Sequence, residues 1–211
     1  MLKITEVSVY KGATYMIRFE DMDAEFLNRE IVSRYNLKAG LTLPLSAWED
    51  IKAEEEYRKA KERALYLLDN RDHSYIELFR KLEKNYSEDT CYRVVDKMVE
   101  LGAVNDRRYA EGLARHYVEV KGFGKSRAFR EMRNRGLTSE VVKAALEAYD
   151  EDEETTWYDR LRELVEKKYL RYLSDEKGVI KVKNALVRYG YSYDLIREVL
   201  RDISEEYGEE E

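Results

Sequence analysis

The chain has 211 residues, of which 44% are hydrophobic and 39% charged, with a formal charge of −6. That length supports one or two domains with a real core, and the acidic balance argues against a surface that grips nucleic acid all over while leaving room for a local basic patch. No run approaches the length of a membrane span, no signal-peptide pattern opens the chain, and the lone Cys91 excludes an internal disulfide and a cysteine-built zinc site. A cytoplasmic monomer without metal or cofactor is the expectation. A single proline, Pro44, and only 10 glycines leave few chain breakers for a sandwich or barrel, whereas Lys, Arg, Glu, Leu and Ala favour helix.

Taken in order, Ile4, Val7 and Val9, then Tyr15, Ile17 and Phe19, alternate with polar neighbours across Lys11-Gly12, which predicts a hairpin. Residues 24–27 suit a short third strand. A brief helix over 28–35 follows, Leu41-Thr42-Leu43 returns toward the sheet, and Pro44 closes the segment. Ser46-Ala47-Trp48-Glu49 reads as a capping box opening a long helix to about Asp69, whose stretch from Lys52 to Arg63 is mostly charged and expected to be exposed.

From about Ala60 the chain repeats itself. Asn85-Tyr86-Ser87, Gly136-Leu137-Thr138 and Gly190-Tyr191-Ser192 each start with a residue that tolerates a left-handed backbone, then give an apolar residue and a hydroxyl suited to cap the next helix. Hydrophobic staples pair Tyr86 with Cys91, Leu137 with Val142 and Tyr191 with Ile196. The spacing of roughly 50–55 residues holds three short helices per copy. They are expected near 60–69, 74–84 and 88–101, near 106–120, 125–135 and 139–149, and near 155–173, 177–189 and 193–205. Ser74 with Glu77 makes a second capping box, and Gly124 takes the matching place in the second copy. The expected fold is therefore mostly α: three tandem three-helix repeats in an elongated array with a small β-rich extension at the N-terminus. In numbers, 1–45 is the β-rich unit, 46–59 the exposed part of a linking helix, 60–104, 105–150 and 151–205 the repeats, and 206–211 an acidic tail. A second acidic run, 150–154, spaces the last two repeats.

No catalytic constellation emerges. Cys91 sits at a staple position, His73 precedes a cap, and His116 lies on a basic helix as a surface contact. Lys121-Gly122-Phe123-Gly124-Lys125-Ser126 ends like a phosphate loop but has Glu119 where glycine is required and a helix where a strand is required. An anion contact at this turn and an ordinary interhelical turn capped by Gly124 both remain open. Charge placement is more telling. Between Arg107 and Arg135 lie Arg107, Arg108, Arg115, Lys121, Lys125, Arg127, Arg130, Arg133 and Arg135, opposed in that stretch only by Glu111, Glu119 and Glu131. A helical wheel puts Ala128, Phe129 and Met132 on one side and Arg127, Arg130, Arg133 and Asn134 on the other. Arginine in preference to lysine suits bidentate contact with phosphate or carboxylate. Lys167, Lys168, Arg171, Lys177, Lys181, Lys183 and Arg188 form a weaker set in the third copy. Lys181 and Arg188 join the second-repeat cations as candidate contacts. The 18 tyrosines fit packing, with base stacking as the lesser reading.

Four stretches resemble the RecX family of recombinase regulators: Arg71 to Leu78 (RDHSYIEL), Leu101 to Ala110 (LGAVNDRRYA), Lys121 to Arg127 (KGFGKSR) running on into Arg133 to Leu137 (RNRGL), and Arg188 to Ile196 (RYGYSYDLI). The resemblance covers about residues 60–203. Asn85 stands where a Lys-Gly turn is usual, Lys125 where Pro is frequent, and the chain is more acidic than many members. The resemblance implies a non-enzymatic protein of homologous recombination, DNA repair and the SOS response that binds the RecA filament on DNA. It implies that such a protein lies in the filament groove and modulates assembly, strand exchange, ATP hydrolysis and co-protease activity, usually as an inhibitor. The alternative from the residues alone is a stand-alone helical-repeat protein that binds single- or double-stranded nucleic acid.

Overall fold

The computed structural model describes residues 1–152 and 156–208. The alternating segments form a four-stranded antiparallel sheet in the order β3-β2-β1-β4, from β1 (Leu2–Lys11), β2 (Thr14–Phe19), β3 (Glu25–Asn28) and the two-residue β4 (Thr42–Leu43). The sequence predicts two or three strands; the return at Leu41–Leu43 adds the fourth by pairing with Leu2 and Lys3. Helix α1 (Arg29–Arg34) starts at Asn28, whose side chain accepts from the Glu30 amide. Ile4, Ile17, Phe19 and Leu27 of the sheet, with Ile31 of α1, are buried together with Trp48 and Ile51 of α2 (Leu45–Asn70).

Two expectations for α2 fail. The helix is entered from Pro44, two residues before the Ser46 that opens the proposed box, and no side chain caps it; proline's fixed φ suits this entry, so Ser46 falls inside the first turn. Residues 46–59 are not an exposed connector either. Trp48 stacks edge-on against Phe19 at 4.7 Å, and Glu55 is 4% exposed. Glu55 is held there by the Arg58 guanidinium at 3.0 and 3.1 Å and by the Asn28 amide at 3.2 Å. A buried carboxylate needs such partners. Burial alone would raise its pKa, but these hydrogen bonds and the charges of Arg58 and Lys59 leave it below the ordinary carboxylate range.

The three helical trios follow. The second half of α2, α3 (Tyr75–Leu82) and α4 (Glu88–Glu100) make the first; α5 (Asp106–Arg115), α6 (Lys125–Asn134) and α7 (Ser139–Asp152) the second; α8 (Trp157–Lys168), α9 (Glu176–Tyr189) and α10 (Tyr193–Gly208) the third. Helix α5 widens into a π turn over His116–Val120, and α8 is followed by a 3-10 turn, Leu170–Tyr172. Part of each expected acidic run, 153–154 and 209–211, lies outside the described residues.

The turn markers are kept in two copies. Gly136 and Gly190 take φ of +80° and +95°, and the Thr138 and Ser192 hydroxyls accept the Val141 and Leu195 amides. Asn85 differs: Asn36 is the one non-glycine at positive φ among the described residues. Instead the first turn closes through the Asn85 and Tyr86 amides, both donated to the Leu82 carbonyl, and the Ser87 hydroxyl donates to Glu56 rather than capping its helix. Ser74 accepts the Glu77 amide as expected, and the Glu77 carboxylate accepts from Tyr109 and Arg135.

By compactness the chain divides into two units that ignore the repeat boundaries. One holds Met1–Arg71 and Leu78–Ala103; the other holds Asp72–Glu77 and the chain from Val104 onward. The second unit contains two apolar clusters. One is built on Ala110, Ala114, Met132, Leu137, Val142 and Leu146, the other on Leu161, Val165, Leu186, Ile196, Val199 and Ile203.

Candidate binding groove of the second and third repeats

Helix α6 sits where its repeat meets the next one, and two glycines set the distance. Gly124 precedes α6 and donates its amide to the Tyr189 carbonyl at 2.8 Å, while the Ser126 amide reaches the Gly190 carbonyl at 3.3 Å. A Cβ on Gly124 would stand 2.5 Å from the Gly190 carbonyl carbon, and one on Gly190 would stand 2.4 Å from the Arg127 amide nitrogen. Backbone thus lies on backbone. The consequence for the Lys121–Ser126 turn is direct: two of its amides are occupied by the third repeat, so it serves as an interhelical turn and those two amides are not open to an anion. Lys125 is drawn to Asp150 at 2.7 Å.

This docking sorts the predicted cations into anchors and free charges. The Arg127 guanidinium lies 3.9 Å from the Phe123 ring centroid and 5.7 Å from that of Tyr189, and it donates to the Arg188 carbonyl at 3.2 Å. Arg127 is half-buried, not on the solvent side where the wheel puts it. Arg135 donates to Glu77 at 3.1 Å and Tyr117 at 3.4 Å, and these two bonds hold its pKa above the ordinary arginine value. The Ser74 hydroxyl donates to the Arg135 carbonyl at 2.5 Å. Arg133 donates to the Leu137 carbonyl just past its own helix. Arg115 lies 3.8 Å from Glu119. Four of the predicted contacts, Lys125, Arg127, Arg133 and Arg135, are therefore committed inside the unit.

Arg130 and Arg188 are exposed and have no ion-pair partner among the described residues. With Ser126, Arg127, Val187 and Gly190 they line one open groove, into which the half-exposed Val187 brings apolar surface. Beside it, Tyr189 accepts a hydrogen bond from Lys168 at 2.7 Å, which, against its partial burial, pulls the phenol below its usual pKa; the Arg127 charge adds to the effect. The groove is thus electropositive. Arg107, Arg108 and Lys121 are exposed elsewhere on the second repeat, and Lys181 lines a separate cleft on the third. Sequence reasoning missed Val187 and Gly190 as groove residues, and missed that Phe123, one helical turn before Arg127, marks that arginine as a stacked anchor.

His73 is 3% exposed with Nδ1 3.6 Å from Glu77, Cys91 is buried, and His116 is on the surface, its ring tilted against Tyr117. No described helix is long and apolar enough to cross a membrane.

Three family models match in tandem: the first three-helix domain of RecX over residues 60–98, the second over 105–146 and the third over 154–200. The chain belongs to the RecX family. It is 29% identical over 177 residues to a regulatory protein RecX of Clostridioides difficile, covering 83% of this chain and 82% of that protein. It is 27% identical over 210 residues to the one from Clostridium tetani, covering 95% and 94%. The regulatory protein RecX of Stenotrophomonas maltophilia is 34% identical over 142 residues, 66% of this chain and 84% of that one. Among solved structures, a regulatory protein RecX superposes with a TM-score of 0.70 at 19% identity over 96% of this chain and all of its own, and RecX from Lactobacillus salivarius with 0.64 at 23% identity over 72% and 98%. At that identity the structures speak for the fold, and the family models and sequence relatives for a RecX-type regulator.

Proposed function

We propose that the chain binds the RecA recombinase filament on DNA, lies in its helical groove and restrains filament assembly, ATP hydrolysis and strand exchange without catalysing a reaction itself. The observation that supports this reading is the Arg130–Arg188 groove. Two guanidiniums with no ion-pair partner among the described residues flank an exposed valine, beside a third guanidinium fixed by stacking. Such a surface offers planar, bidentate donors to phosphate or carboxylate and an apolar contact next to them. Binding at several adjoining subunits would favour one filament state over another by differential affinity.

The test is a recombinase ATPase assay on single-stranded DNA with added protein. Arg130→Glu with Arg188→Glu should raise the concentration needed for half-inhibition by about tenfold or more, since each lost charge-assisted contact costs about 1.5–3 kcal/mol. Both side chains are exposed, so the circular-dichroism spectrum should not change. Inhibition equal to that of the unaltered protein would remove the groove from the mechanism. Arg127 and Arg133 are unsuitable for this test because their replacement alters packing and a helix end as well as charge.

A further inference from the structure

The third repeat holds a cleft of about 760 Å³ away from the Arg130–Arg188 groove, between the 3-10 turn and the first two turns of α9. Its walls bring together Tyr169, Arg171, Tyr172, Lys177, Gly178 and Lys181. The cleft depends on Gly178: a Cβ there would stand 2.0 Å from the Tyr172 carbonyl oxygen, so only glycine lets the turn lie this close to the helix. The Tyr172 side chain stays 46% exposed, and the Arg171 guanidinium stands over its ring at 4.8 Å from the centroid. Lys177 and Lys181, one helical turn apart, both face the cleft, and neither has an ion-pair partner among the described residues. Of the two acids on the rim, Asp175 is turned into the helix start, accepting the Gly178 amide at 2.7 Å; Glu176 is the other.

We infer that this cleft is a stacking site for an unpaired nucleotide of a single-stranded nucleic acid. Tyr172 and Arg171 form the base platform, and Lys177 and Lys181 hold the flanking phosphates. An exposed aromatic ring beside a planar guanidinium binds the face of a flat heterocycle, which a paired base does not offer. Two lysines one turn apart supply the sequence-independent attraction to the strand. An acidic peptide would use the lysines and leave the ring idle, so the ring decides between the two. The inference stands apart from the recombinase reading, because its test contains no recombinase.

The full chain is titrated, with fluorescence anisotropy as the readout, into a labelled oligothymidylate of about 20 nucleotides and, in parallel, into a duplex of the same length at low salt. Tyr172→Ala should weaken strand binding about 5- to 150-fold and leave duplex binding within about twofold, whereas Tyr172→Phe should bind the strand like the unaltered chain. Lys177→Gln with Lys181→Gln should flatten the slope of log K against log salt by about 1.4. This pair is exposed enough to leave the fold intact and serves as the second variant should Tyr172→Ala lose helix content. The inference is overturned if the unaltered chain does not bind the strand, if Tyr172→Ala binds it equally well, if strand and duplex weaken alike, or if the double lysine variant keeps the full salt slope.

Discussion

Replacing Gly124 with alanine isolates the contact that seats the third repeat on the second. The backbone there has φ of −72°, which alanine adopts freely, so no conformational strain is added. What the new methyl meets is three backbone atoms, the Gly190 carbonyl carbon at 2.5 Å and its oxygen and the Tyr191 nitrogen at 2.6 Å. None of these can swing aside as a side chain would, so the repeats must separate. Forcing a methylene into a packed contact costs about 1–3 kcal/mol, and the upper end applies here because the neighbours are backbone. At about 2–4 °C per kcal/mol for a chain of this size, the melting temperature should fall by about 6–12 °C. Gly112→Ala is the control: within α5 nothing lies within 4 Å of the added Cβ, and the change should stabilise by about 1 kcal/mol. Chemical denaturation followed by circular dichroism gives the sign. Hydrogen exchange gives the place, since the Gly124 and Ser126 amides donated to Tyr189 and Gly190 should lose protection in Gly124→Ala. A variant that unfolds with the parent and keeps both amides protected would show that the glycine pair does not set the spacing.

Glu55, with its pKa below that of the unfolded chain, contributes stability that is complete above about pH 4.5 and is lost as pH falls through the folded value. Glu55→Gln should flatten the acid limb of a stability–pH curve and cost about 3 kcal/mol at neutral pH, measured by urea denaturation. Tyr191 is pushed up to about 12, chiefly by burial, with Arg160 opposing and Tyr149 and Tyr189 adding. Its contribution is therefore full below about pH 10 and disappears as pH rises toward 12; Tyr191→Phe, which loses a hydrogen bond to the Gly122 carbonyl, should cost about 1 kcal/mol and remove that alkaline sensitivity. The Cys91 thiol is raised by burial and by Glu56, Glu83 and Glu88, so a chromogenic thiol reagent at pH 8 should react at the rate of opening and rapidly only in denaturant.

The repeats were legible because a turn is a local event. Gly136-Leu137-Thr138 and Gly190-Tyr191-Ser192 place a left-handed residue, a buried residue and a cap in three consecutive positions, and the structure uses all three. Ion pairing is not local. Arg135 finds Glu77 at a sequence separation of 58, and Arg127 finds the Arg188 carbonyl at 61, so counting charges within one repeat placed both among the free contacts. The buried Glu55 was hidden for the same reason, its amide donor being Asn28. Its spacing behind Trp48 and Ile51 on one face of α2, with Arg58 three residues on, was the available signal.

The π turn at His116–Val120 carries one residue more than an α-helical turn in the same axial length. It turns both Tyr117 and Val118 inward, and the Tyr117 carbonyl then takes the Phe123 amide at 2.9 Å. Tyr117 stacks on Phe123 at 5.8 Å, and Phe123 carries Arg127. Deleting any single residue between 116 and 120 would restore an ordinary α-helical turn of the same length, and Tyr117 and Val118 could then no longer both face inward, so the column would lose one of its rungs. The segment thus works as a spacer of fixed length, in which a substitution is tolerated more readily than a change of count.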